Sequence, residues 1–136
     1  MLDLDALNER SVGKFPGFLG VVFTYLDGPE IGAELCIRDE FMAPNGFLHA
    51  GTIVTLADTC CGYGCFANLP QGATGFTTIE LKSNHLGTAR QGTLASLARA
   101  VHRGRTTQVW DALVTHKETN KTLALFRCTQ MILYAK

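Results

Sequence analysis

The sequence is short of charge, and one stretch is almost devoid of it. Charged residues make up 18% of the 136 positions, and 12 basic side chains cancel 12 acidic ones. No chain-wide field therefore draws it to nucleic acid or to an anionic membrane. No run of about 18 apolar residues occurs, which argues against a transmembrane helix. The N-terminal MLDLDALNERSVGK alternates acids with leucines and lacks the apolar centre of a signal peptide. The five cysteines, Cys36, Cys60, Cys61, Cys65 and Cys128, form an odd set without a CxxC pair. Three of them fall on one predicted helix, a poor geometry for a disulfide framework, so reduced core thiols and a cytoplasmic location are expected. No second His or Cys stands at metal-ligand spacing, so no metal site is expected. The absence of a G-x-S-x-G elbow speaks against a Ser-His-Asp triad.

What the chain does have is apolar surface. At 46% hydrophobic residues it can bury a full core, and residues 1–136 read as a single domain. Near-zero net charge with so few charged groups also suggests that a partner copy covers some apolar surface, giving a homo-oligomer. Residues 2–10 read as an amphipathic helix and 13–20 as glycine-rich and turn-like. Alternating runs at 21–26 and 31–38 flank the Asp27-Gly28-Pro29 turn as a hairpin. A helix follows over about 49–66, where Ile53, Leu56, Ala57, Cys60 and Gly64 recur at helical spacing. Four strand candidates (75–86, 91–102, 106–117 and 121–134) then read as a meander. This is an α+β pattern in which a sheet must wrap the one long helix.

The emptiest stretch is also the most informative. Between Glu40 and Glu80 there is no Lys, Arg or Glu and a single Asp, Asp58, in the middle of the most apolar helix. A carboxylate there is costly to ionise without a cation, so it has a raised pKa or faces a wet cleft. Either condition suits a general base or a nucleophile; a loop cap or a solvent-facing bend is the bland alternative. At the start of the helix, His49-Ala50-Gly51 offers small residues and backbone N–H groups at its positive end, suited to an oxyanion. Gly51 and Asp58 are seven residues apart, so they share a face but stand ~10 Å apart along the axis. One carbonyl cannot touch both. If both act on one substrate, they come from different chains of a dimer with antiparallel helices. His49 suits a turn-holding role better than proton transfer. His85, His102 and His116 read as structural.

These residues resemble the hotdog-fold acyl-CoA thioesterases of the PaaI type. The likeness is carried by Gly46-Phe47-Leu48-His49-Ala50-Gly51, by an acid nine positions after the His at Asp58, and by 75–82 and 102–111. It implies a hotdog fold, with the sheet wrapped around a central helix, and an acyl-coenzyme A substrate. No separate cofactor is implied, since coenzyme A is part of the substrate. It further implies Asp58 as attacking carboxylate or base, the Ala50 N–H as oxyanion donor, and Thr78 as the hydroxyl that positions water or the carboxylate. Arg103, Arg105 and Thr106 fall where relatives meet coenzyme A phosphates, with Arg90 as a replacement for an Arg missing at Gly87. Asn45 is the nearest amide to a position, Ala43, where relatives often carry Asn or Gln. Phe41, Met42, Phe47, Tyr63 and Phe66 are candidates for an apolar acyl slot, with core packing as the default reading. A non-catalytic acyl-CoA or small-ligand binder on the same fold is the alternative, since fold alone does not decide function.

Overall fold

The computed structural model describes residues 2–136. Two short helices come first, α1 (Leu4–Arg10) and α2 (Phe15–Leu19). Asp3 caps α1 by accepting from the Ala6 N–H at 2.9 Å, as an acid at a helix start should. The segment expected to be only turn-like holds α2, whose first turn carries Pro16, a residue already set to helical φ.

The hairpin β1 (Val22–Asp27) and β2 (Glu30–Cys36) leads through a short 3-10 turn (Asp39–Phe41) into α3 (Ala50–Ala67). After it come β3 (Ala73–His85), β4 (Thr93–Arg103), β5 (Thr107–His116) and β6 (Lys121–Tyr134). All six strands form one antiparallel sheet in the order β1-β2-β4-β5-β6-β3. The expected four-strand meander is therefore corrected. Only β4, β5 and β6 follow one another, while β3 lies outside β6 at the far edge. The reason is the helix: its 18 residues span ~27 Å and carry the chain across the sheet before β3 begins.

Period-two patterning sets the inner face. Ile31, Ala33 and Leu35 of β2, Leu94 and Ala98 of β4, Trp110 and Val114 of β5, and Phe126, Cys128 and Ile132 of β6 are all buried. They close on α3, which is buried through Ile53, Leu56, Ala57, Cys60, Cys61 and Cys65 and packs against every strand from β2 to β6. At Gly64 the helix comes so close that an added Cβ would lie 2.6 Å from the Trp110 ring and 2.9 Å from Ile31. The sheet wraps the helix, as the hotdog resemblance implies. All five thiols are free and four are buried. No helix among the described residues is long and apolar enough to cross a membrane.

Candidate active site

The loop before α3 is a small hairpin. Ala43 N–H donates to Phe47 O at 2.7 Å, His49 N–H to Phe41 O at 3.0 Å, and Met42 bridges Leu48. Asn45 Oδ1 accepts from the Phe47 N–H at 3.1 Å, so this amide shapes the turn with its carbonyl and leaves only its NH2 to offer outward. Thr88, from the β3–β4 connection, accepts the Leu48 N–H at 3.1 Å and ties the loop down. On the same connection Arg90 stands over the Phe47 ring, 5.9 Å from its centre. Arg90 thereby lies beside the loop that leads into α3.

His49 is the N-cap of α3, and its Nδ1 accepts the Gly51 N–H at 2.8 Å. Here His49 holds the helix start, and the Gly51 N–H is taken. A side chain at 51 would also collide with that ring, at 2.8 Å. The Thr52 N–H goes to His49 O at 2.9 Å. The Ala50 N–H, by contrast, meets no acceptor among the described residues, and it lies at the positive end of an 18-residue helix. The sequence pointed to free backbone donors at this helix start; His49 takes the one at Gly51 and leaves the one at Ala50.

Two turns further along, Asp58 is half-buried, and burial raises its carboxyl above the ordinary range. The nearby Thr78 hydroxyl works in the opposite direction. That hydroxyl, however, has one hydrogen and gives it to Gln130 Oε1 at 2.7 Å, so it has none to offer the carboxyl and burial decides the direction. Asp58 Oδ1 is buried without a hydrogen-bond partner. Asp58 and Thr78 are thus brought together beside β3. Strand β3 is an outer edge of the sheet and carries exposed Ile79 and Leu81.

The arginines of the β4–β5 turn sit at the other end of α3. Arg103 Nη1 donates to Asn68 Oδ1 at 3.1 Å, and Asn68 is the C-cap of α3. Gln108 Nε2 donates to Asn68 O at 2.9 Å, fixing that cap from the core. Arg105 lies 6.0 Å from the Tyr134 ring centre, and Thr106 is exposed on the same turn. Gly51 and Asn68 are 17 residues apart, ~25 Å along the axis, so within one chain this turn is remote from the helix start.

Most of the aromatic candidates for an acyl slot serve packing. Phe41 is buried, Tyr63 stacks on Phe23 at 4.3 Å and bonds Ser11, and Phe66 lies under Arg10. Phe47 is exposed. The thiols near Asp58 are not nucleophiles: burial pushes Cys60 and Cys65 up to about 12. Gln130 was missed in the sequence. Its signal is a lone amide at an inward position of β6 among Ala124, Phe126, Cys128 and Ile132.

The family model of the thioesterase superfamily matches residues 45–123. The 1,4-dihydroxy-2-naphthoyl-CoA hydrolase of Listeria monocytogenes is 30% identical, over 82% of this chain and 89% of its own. The proofreading thioesterase EntH of Cronobacter sakazakii is 28% identical, over 97% of this chain and 95% of its own. Among solved structures, a mutant thioesterase PA1618 from Pseudomonas aeruginosa superposes with a TM-score of 0.91 at 28% identity, over 98% of this chain and 95% of the other. The matched span contains the helix start, Asp58 and Thr78, and on these grounds the chain belongs to the hotdog-fold thioesterase superfamily and is a thioester hydrolase.

Proposed function

We propose that this thioester hydrolase cleaves acyl-coenzyme A at sites shared between two copies of the chain, with Asp58 of one and the Ala50 N–H of the other. The observation that carries the reading is Asp58 itself, a half-buried carboxyl with no cation beside it among the described residues and one buried oxygen unpartnered. In the ionised form it takes a proton from water as the water oxygen attacks the thioester carbon. The carbonyl oxygen becomes an oxyanion, stabilised by the Ala50 N–H and the helix N-terminus. Collapse of the tetrahedral intermediate breaks the C–S bond, and the departing thiolate takes the proton back from Asp58. A carboxylic acid and coenzyme A leave.

Two features support the shared site. Asp58 and Ala50 stand more than 10 Å apart along one helix, too far for one carbonyl. Asp58 also lies beside β3, a 13-residue edge strand with apolar side chains exposed. Such an edge is satisfied when a second copy pairs with it. A twofold pairing there sets the helices antiparallel and brings the C-terminal end of one α3 towards the N-terminal end of the other. The partner's Arg90 and the Arg103, Arg105 and Thr106 turn then flank the same cleft and suit the coenzyme A phosphates. An aromatic or medium-chain acyl group fits the apolar surroundings, and the Listeria relative is named for an aromatic acyl-CoA. Four buried free thiols agree with a reducing compartment, the cytoplasm.

The test is a panel of aromatic and aliphatic acyl-CoAs with colorimetric detection of released thiol. Wild type turns over at least one class, and Asp58→Asn lowers kcat about a thousandfold while remaining folded and oligomeric. Full activity in Asp58→Asn would end the proposal.

A further inference from the structure

We infer that Gln130 is a positioning residue: it takes the only hydrogen of the Thr78 hydroxyl, so that Thr78 faces Asp58 as an acceptor and the two together select a water molecule. This rests on the proposed role of Asp58. Thr78 and Gln130 are directly opposite in the β3–β6 register, and Gln130 is completely buried. Thr78 Oγ1 donates to Gln130 Oε1 at 2.7 Å. At the other end of the amide, Gln130 Nε2 donates to Cys128 Sγ at 3.4 Å. Both ends of the amide are engaged, so the group is held in one orientation.

The consequence falls on the cleft. Asp58 Oδ1 has no donor, and Thr78 has no hydrogen left to supply one. Two acceptors side by side call for a donor with two hydrogens. Water fits: one hydrogen goes to Asp58, the other to Thr78, and a lone pair remains for the thioester carbon. This arrangement favours Asp58 as a base on water over direct attack by its own oxygen.

Among the described residues, no charged side chain competes in setting Asp58. On its own helix a nearby titratable group is the Cys61 thiol, held protonated by the neighbouring Cys128 thiol and by burial. On β6 the inward neighbours are Cys128 and Gln130. On β3, Glu80 and Lys82 pair with Thr129 and with Arg127, whose guanidinium binds Asp111 on the opposite face of the sheet.

The test compares Gln130→Met, Thr78→Val and the double variant. The Asp58 carboxyl is titrated by 13C NMR, with Asp58→Asn as the blank, and kcat and KM are measured against pH. In Gln130→Met the freed hydroxyl hydrogen turns to the carboxylate and lowers its titration by about one pH unit. There kcat falls about tenfold and KM stays within about twofold. Thr78→Val lowers kcat similarly and leaves the Asp58 titration in place, and adding Gln130→Met to it produces no shift. An unmoved titration in Gln130→Met, or a raised one in Thr78→Val, overturns the inference; the Thr78→Val arm decides alone if Gln130→Met does not fold. If wild type releases no thiol from any acyl-CoA, the hydrolysis reading fails, while the NMR titration still decides the direction of the hydrogen bond.

Discussion

If Asp58 and the Ala50 N–H meet only across two chains, two inactive variants should repair each other. The first is Asp58→Asn. The second is Ala50→Pro, which deletes the oxyanion donor and little else. Ala50 is the first residue of α3, where proline is tolerated because that N–H has no intrahelical partner. His49, before it, already has φ −63° and ψ 130°, the extended backbone that a following proline demands. Losing one oxyanion donor lowers kcat about a hundredfold to a thousandfold. In a hybrid dimer one site combines the intact Asp58 of the Ala50→Pro chain with the intact helix start of the Asp58→Asn chain. The other site is doubly impaired. Random re-association of equal amounts gives hybrids as half of all dimers, each with one working site, so activity recovers to about one quarter of wild type. Tandem-tag purification of the hybrid raises this to about one half. The assay is thiol release after co-refolding, against each variant refolded alone. Activity no greater than the sum of the parents would refute the shared site and place both groups within one chain.

Two further predictions concern charge. Burial raises Asp58, so the folded state binds a proton that the unfolded chain has released between the ordinary carboxyl value and the raised one. Wild type therefore loses stability, relative to Asp58→Asn, as pH rises through that window, and the two converge in acid. Thermal unfolding of both proteins from about pH 4 to about pH 8 measures this, and a gap independent of pH contradicts it. Arg105→Ala, on the exposed β4–β5 turn, raises KM for acyl-CoA several-fold, about tenfold at low salt, through one lost charge-assisted phosphate contact. It leaves KM for acyl-pantetheine, which lacks the nucleotide, unchanged; an equal rise for both substrates would show that Arg105 does not meet the phosphates.

Local signals made much of this molecule legible. Period-two alternation located the last four strands to within two residues, and the charge gap from 41 to 79 isolated Asp58 before any fold was known. Strand order was not legible, because pairing is decided by where a 27 Å helix delivers the chain, and alternation carries no such information. The glycine-rich 13–20 segment concealed α2, which five residues of weak helix propensity do not announce. The helix start was half legible: small residues at 50 and 51 pointed to backbone donors, but only geometry reveals that His49 consumes one of them. Gln130 was hidden for the opposite reason. A buried amide looks like an exposed one until its partners, Thr78 and Cys128, are seen.

The placement of β3 outside β6 also dictates how the chain can fold. Ala73 pairs with Tyr134, so the strand that follows the central helix finds its neighbour some sixty residues later. Contacts this distant in sequence raise the entropic barrier and slow folding. Until β6 forms, β3 has no partner on either side and the apolar flank of α3 beneath it stays open. Nascent or partly folded chains therefore expose a sticky strand and helix together, which makes the arrival of β6 the step that separates productive folding from aggregation.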